Sequence, residues 1–247
     1  MQALIKYTWT EIKLFFREPL GAFFTLVFPL MMLFLFGTIY GNDPSPYFNG
    51  YGTIDVSVPA YTAMIIGTTG IMGLTITIST YRENGILRRL RTTPIKPQVI
   101  LSAQVIVIFL MTLAGMLLLI LAGNLVYNLR FDGNPLSIAL AFILSSLSFF
   151  SLGFILASVM PNARTAQVVG MVIFYPMLFL SGAGLPLELL PDRVRNISIF
   201  LPLTHVVTLL RGLWIGDAWS QHITEVWVLL GLMVVGLLVS SKVFRWE

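Results

Sequence analysis

The chain has 247 residues, 57% of them hydrophobic and only 11% charged, with a formal net charge of +4 and no cysteine. Soluble domains carry about 25% charged residues, so this composition excludes an ordinary water-soluble globule and points to the bilayer as solvent. The missing thiols exclude disulfides, thiolate metal sites and cysteine nucleophiles, and two histidines are too few for a His-rich metal site.

Residues 1–19 precede the first long apolar run. Ile5, Trp9, Ile12 and Phe16 fall at i, i+4, i+7 and i+11, one face of a helix, with Lys6, Lys13 and Arg17 beside it. That pattern predicts a helix lying in the headgroup region, and Pro19 marks the turn into the membrane. A bilayer core takes about 20 apolar residues per helix. Six runs qualify: Leu20–Tyr40, Val58–Thr80, Val99–Gly123, Leu136–Met160, Ala166–Gly182 and Ile223–Ser241. The first is too long for the apolar part of a signal peptide and follows a polar lead, so it reads as a span.

With the N-terminus inside, eleven basic residues are cytoplasmic: Lys6, Lys13, Arg17, Arg82, Arg88, Arg89, Arg91, Lys96, Arg164, Lys242 and Arg245. Arg130, Arg193, Arg195 and Arg211 fall outside. The inside-positive rule therefore predicts six spans with both termini cytoplasmic. The basic pI then records orientation, and nucleic acid is not an expected partner.

The loop of residues 42–57 is polar, with Asp43 and Asp55 and no base, and residues 124–135 form a turn region. Residues 183–222 are too apolar for a solvated loop and too interrupted by Gly182, Gly184, Pro186, Pro191 and Pro202 to span. Short re-entrant helices on the outer side are the physical solution. Mid-span regions hold no Asp, Glu, Lys, Arg or His, which disfavours ion coupling and voltage sensing. The polar span residues are hydroxyls and amides: Thr75, Thr77, Ser79, Gln104, Ser145, Ser146, Ser148, Ser151 and Gln167. Their bland role is hydrogen bonding between helices. The functional alternative is a passage for an amphipathic substrate, with Thr75, Thr77, Gln104, Ser148 and Tyr175 as candidates. Gly67, Gly70 and Gly73 form a packing stripe in the second span, and Pro176 predicts a kink in the fifth.

No G-x-x-x-x-G-K-[ST], G-x-G-x-x-G or H-E-x-x-H occurs. Ser181, Gly182 and His205 are a poor basis for an intramembrane protease, and His205 reads as a hydrogen-bonded helix-end residue. The most distinctive segment is Tyr81–Pro97, YRENGILRRLRTTPIKP. On a helix from about Asn84, Ile86, Leu87 and Leu90 share one side, while Arg88, Arg89 and Arg91 fall largely on the other. A basic loop touching lipid phosphates is the bland reading. The apolar face and the stop at Thr92, Thr93 and Pro94 favour docking into a groove of another protein.

The run ENGILRRLRTTP, Glu83 to Pro94, resembles the pattern of ABC-2 type transporter permeases, where Glu and Gly begin a short coupling helix followed by leucines and Thr-Pro. The N-terminal helix, the six spans, and LSG (180–182), LPLTH (201–205) and LRG (210–212) before the last span extend the resemblance over nearly the whole chain. The resemblance implies one all-α integral membrane domain over residues 1–247: an interfacial helix (1–19), spans 1–5 (20–182) with a coupling helix at 83–91, outer re-entrant helices (183–222), and span 6 with its tail (223–247). It implies ATPase contacts at Glu83, Gly85, Ile86, Leu87, Leu90 and Pro94. It also implies an outer re-entrant gate, containing Pro186, Pro191, Pro202, His205 and Arg211. Two separate P-loop ATPase subunits would hold ATP and magnesium, this chain would hold no cofactor or metal, and a second membrane subunit would complete a homodimer or heterodimer. The expected activity is export of an amphipathic or hydrophobic drug, antibiotic or lipid-like molecule across a bacterial plasma membrane. Export of a lipid-linked polysaccharide is the alternative. A membrane-embedded lipid-modifying enzyme and a non-transport scaffold are remote ones.

Overall fold

The computed structural model describes residues 2–86 and 97–243. Leu87, Leu90 and Pro94 of the expected coupling segment lie outside the described residues. Helix α1 (Gln2–Arg17) leaves Trp9 59% and Phe16 58% exposed, as a helix lying on lipid requires. Span 1 consists of α2 (Pro19–Ala22), a π-helical stretch (Phe23–Val27) and α3 (Phe28–Tyr40). Span 2 is α4 (Thr53–Gly67), a second π-helical stretch (Thr68–Leu74) and α5 (Thr75–Glu83). Spans 3, 4 and 5 are α6 (Pro97–Tyr127), α7 (Pro135–Val159) and α8 (Ala163–Leu180).

Between spans 5 and 6 stand α9 (Asp192–Ser198) and α10 (Pro202–Trp214), bent by 97° at their junction. At 1.5 Å per residue, α10 reaches only about 20 Å, short of the roughly 30 Å hydrocarbon core. The pair is therefore a re-entrant cap and not a seventh span. Helix α11 (Ile223–Val243) is span 6. Six helices are long and apolar enough to cross a bilayer, and no strand occurs among the described residues. The protein is an all-α, multi-pass membrane protein. We call the end carrying α1, Arg82, Arg164 and Lys242 the basic end, and the other the far end.

Two spans begin with an asparagine that accepts from an unpaired N–H of the first turn. Asn134 Oδ1 accepts from Leu136 N at the start of α7, and Asn162 Oδ1 accepts from Thr165 N at the start of α8, both at 2.8 Å. Pro135 and Pro202 occupy first-turn positions, where a missing N–H costs nothing. Pro176 sits inside α8, which continues to Leu180.

Span 2 is the buried column of the bundle: 78% of its apolar window is buried, against 11% for span 6. Lipid tails are as apolar as leucine, so close packing and hydrogen bonds must hold such a column. A β-carbon on Gly70 would strike the Phe149 backbone, and one on Gly153 would strike the Gly70 carbonyl. Gly67 packs on Phe174 in the same way, whereas Gly73 faces open space apart from its own helix. Thr75 Oγ1 donates across the span 2–span 4 contact to Gly153 O (3.2 Å). On the opposite side of α7, Ser148 Oγ donates to Leu229 O (2.7 Å) and Ser151 Oγ to Leu232 O (3.2 Å), joining span 4 to span 6.

Span 2 starts at Thr53, five residues before the apolar run, and span 3 runs on to Tyr127. The polar first turn of α4 is covered by protein, so hydropathy misses it. Asp55, fully buried, is the reason it can be covered. Its carboxylate accepts from Gly52 N (2.8 Å), Asn42 Nδ2 (2.8 Å) and Arg130 N (2.9 Å), while Asn42 Oδ1 accepts from Ile54 N (3.0 Å). The negative charge also sits at a helix N-terminus, where the dipole favours it. Asp55→Ala strips three donors of their acceptor, with the Gly52 N–H left buried and unpaired at a cost of about 1–3 kcal/mol and the two part-buried donors costing less. It should lower the thermal unfolding midpoint in detergent markedly, with Asp55→Asn intermediate. An unchanged midpoint would show that the far-end junction does not rest on this carboxylate.

Candidate substrate cavity and coupling end

At the basic end α1 is latched to the bundle. Glu11 is 5% exposed, and both its carboxylate oxygens accept from Tyr81 Oη (2.7 and 2.6 Å). Gln104 Nε2 donates to the same phenol oxygen (2.9 Å). Three elements distant in sequence, α1, the end of span 2 and the start of span 3, thus meet at one phenol. Nothing local in the sequence marked Glu11. Its only cue is an acid on the membrane-facing helix beside the apolar stripe of Trp9, Ile12 and Phe16.

Two residues further on, α5 ends. The positive φ of Gly85 (+65°) turns the chain after Glu83, and Gly85 N donates to Arg82 O (3.0 Å). Glu83 is therefore the last residue of the span 2 helix, not the first of a coupling helix. Helical backbone resumes at Ile86. The Glu83 carboxylate accepts from Ala163 N (2.9 Å), at the start of α8. It places a negative charge on the positive end of that helix and ties the ends of spans 2 and 5 together beside the segment expected to couple.

A cavity of about 500 Å³ opens from this end between spans 1, 2 and 5. Span 2 contributes Thr68, Thr69, Met72, Gly73, Ile76 and Thr77, span 5 contributes Gln167, Met171 and Tyr175, and Phe24 and Thr25 come from span 1. Arg17 and Glu18 stand at its rim. Both π-helical stretches border it. Such wide turns cluster at functional sites, and Thr68 and Thr69 support theirs by donating to the Met64 and Ile65 carbonyls (both 2.8 Å). Glu18 keeps its carboxyl at the exposed rim, partly desolvated by the cavity wall. That desolvation, and then the charge of Glu11, hold its carboxyl above the ordinary carboxylate range.

The five residues expected to line a passage divide. Thr77 and Tyr175 line the cavity. Thr75, Gln104 and Ser148 do not: they are 1%, 3% and 0% exposed and engaged in the helix-to-helix hydrogen bonds described above. Each points toward a neighbouring helix because an unpaired hydroxyl or amide in hydrocarbon is costly. The sequence did not single out Gln167, Met72 and Met171 for this wall.

At the far end, Pro186 precedes a short 3-10 turn (Leu187–Leu189), Pro191 precedes α9, and Pro202 opens α10. Arg211 Nη1 pairs with Glu188 Oε1 (2.6 Å), and its guanidinium lies 5.7 Å from the Phe48 ring centroid. His205 Nε2 meets the Ile199 carbonyl oxygen (2.9 Å) across the bend, a capping role as expected. Gly212 accommodates the His222 ring, which a β-carbon there would strike. Tyr51 Oη donates to Asp132 Oδ2 (2.9 Å), and this bond is the main reason its phenol is held above the ordinary value of 10.

A family model for the ABC-2 type transporter matches residues 2–214. The chain belongs to the ABC-2 type transporter family. It is similar to the daunorubicin resistance ABC transporter permease protein DrrB1 of Streptomyces coeruleorubidus, 24% identical over 99% of this chain and 87% of that one. It is also similar to the putative transport permease YvfS of Bacillus subtilis, 22% identical over 99% and 98% of the two chains. Nodulation protein J of Rhizobium leguminosarum bv. viciae is 33% identical over 102 residues, 41% of this chain and 39% of that one. As an ABC-2 family member this chain is a transport permease, a multi-pass membrane subunit.

Glu11→Ala or Tyr81→Phe should free α1, seen as faster amide exchange over residues 2–17 with the far end unchanged. Unchanged exchange would mean that lipid alone holds the helix. The raised carboxyl of Glu18 makes the folded state bind its proton more tightly than the unfolded chain does. Its contribution to stability is present below the ordinary pKa of 4.5 and lost as pH rises through the higher folded value. Glu18→Gln should flatten that decline, raising the unfolding midpoint at neutral pH more than at pH 4. An equal effect at both pH values would contradict the assignment.

Proposed function

We propose that this chain is the membrane subunit of an ATP-driven exporter and that the basic-end cavity admits an amphipathic or hydrophobic substrate. The mixed lining carries the reading. Hydroxyls, an amide and deformable methionines stand above a rim with one cation and one carboxyl. Such a wall suits a molecule with an apolar body and a polar head, and its volume suits one small molecule better than a polymer. The name of the relative DrrB1 points the same way.

In this reading the basic end is cytoplasmic, following the inside-positive rule, and the membrane is a bacterial plasma membrane. Hydrolysis belongs to two separate P-loop ATPase subunits holding ATP and magnesium. They would dock at residues 83–96 and move Glu83 and its neighbours. That motion would reach span 5 through the Glu83–Ala163 contact and α1 through Tyr81 and Glu11. A second membrane subunit would close the open side of the cavity. Spans 1 and 5 suit that contact, with only 22% and 28% of their apolar windows buried. The re-entrant pair α9–α10 would cap the exit, with the Arg211–Glu188 pair holding it.

ATP-dependent uptake of an anthracycline into inverted vesicles tests the reading. Thr77→Trp, which fills the cavity, should reduce uptake about tenfold, equivalent to 1.4 kcal/mol, without releasing the ATPase. Thr75→Val, which lies outside the cavity, should retain it. Wild-type uptake by Thr77→Trp would remove the cavity from the path.

A further inference from the structure

A second large concavity lies on the other side of the bundle, at the far end between spans 3 and 4. It measures about 550 Å³. Leu113, Leu117 and Asn124 of α6 form one wall, Ala139 and Ile143 of α7 the other, and Trp214 the roof. Apart from the Trp214 indole, Asn124 is the only polar side chain among the described residues that line it. The indole N–H is already donated to Arg130 O (2.9 Å), and its ring packs edge-on against Phe131 at 4.7 Å. The body of the groove therefore offers no polar contact and no charge.

Its dimensions decide what fits. On α6 the lining runs from Phe109 to Asn124, about 22 Å along the helix. A helix with its side chains is about 10–12 Å across and fills about 1,700–2,500 Å³ over that length, more than the groove holds, so a span of another protein does not fit inside it. A polymethylene chain, with carbon contacts at about 3.5–4.0 Å, matches it. The groove opens sideways between two spanning helices, and Leu117 (55% exposed) and Ile143 (41%) flank the opening. Asn124 stands at its far-end mouth, exposed and with no hydrogen-bond partner among the described residues.

We infer that this groove is a binding site for a membrane phospholipid of the far leaflet, with one acyl chain between spans 3 and 4. The Asn124 amide meets the ester or phosphate oxygens at the mouth. No formal charge lines the site, so it selects a chain and not a headgroup charge. The bound chain touches Trp214, the last residue of α10, and so braces the re-entrant cap from the lipid side. This site is separate from the proposed substrate cavity, and its test does not depend on transport.

The test uses the full chain in phosphatidylcholine vesicles containing phosphatidylcholine with a photoactivatable diazirine on the acyl chain. After irradiation, adducts should concentrate on residues 109–120 and 138–143. They should exceed those on the equally lipid-facing Val234–Leu238 of span 6 by about tenfold, a 1.4 kcal/mol preference. Ala139→Phe fills the groove and should abolish that excess, Ala139→Leu should reduce it, and Leu238→Phe should leave it intact. Uniform labelling of all lipid-facing helices, or an excess that survives Ala139→Phe, would overturn the site. The chain has no cysteine, so Ala139→Cys also reports on a different occupant. Disulfide-linked dimers through that residue would mean that a second copy covers the groove, against the proposal.

Discussion

Gly70 and Gly153 bring the backbones of spans 2 and 4 so close that a β-carbon on either would strike the other helix, and the remaining contacts are arranged around that approach. In hydrocarbon no hydrophobic force drives helices together, so association rests on backbone proximity and on hydrogen bonds from small polar side chains. Thr75 adds its bond to Gly153 at the crossing, and Ser148 and Ser151 carry the order outward from span 4 to span 6. Span 2 becomes a protein-enclosed column. Its far end can then carry a buried aspartate, and its basic end a glutamate that holds span 5.

That column separates two different spaces. On one side, spans 1 and 5 stay loosely covered and leave a mixed-polarity cavity below two π-helical stretches. On the other, spans 3 and 4 enclose a groove with almost no polar lining. The first suits a cargo that must enter from water or a headgroup layer, and the second suits a lipid that stays. Elements at the basic end share contacts instead of standing alone. Glu11, Tyr81, Gln104, Glu83 and Ala163 connect α1 and spans 2, 3 and 5 at the end that carries the segment expected to meet the ATPase. A displacement there has direct routes into the bundle.

The spans, the surface helix and the re-entrant cap were legible because each rests on a one-dimensional property: apolar run length, the period of Ile5, Trp9, Ile12 and Phe16, and the Gly and Pro interruptions of residues 183–222. Direction was not legible. Span 3 has Gln104 as an isolated amide, and the serines of span 4 suit either a helix contact or a passage, so the sequence did not tell whether Gln104 or Ser148 faced a passage or a neighbour. In the structure both are hydrogen-bonded to a neighbouring helix. Asp55 and Thr53–Ser57 read as loop because a polar first turn lowers local hydropathy, although protein buries it. Glu11 meets a partner 70 residues away, a distance no spacing rule reaches. Asn84 marked a helix start in the sequence; Gly85, with its positive φ, also ends the span 2 helix there, and helical backbone resumes at Ile86.

The central claim is that this permease is moved by a separate ATPase docked at the basic end. The most direct measurement is co-purification of the chain with the products of its neighbouring genes in mild detergent. The account predicts a P-loop ATPase at one-to-one stoichiometry, retained in Asp55→Asn at the far end and lost in Leu87→Asp. A stable chain that never recruits an ATPase, or one that keeps it with Leu87→Asp, would contradict the account.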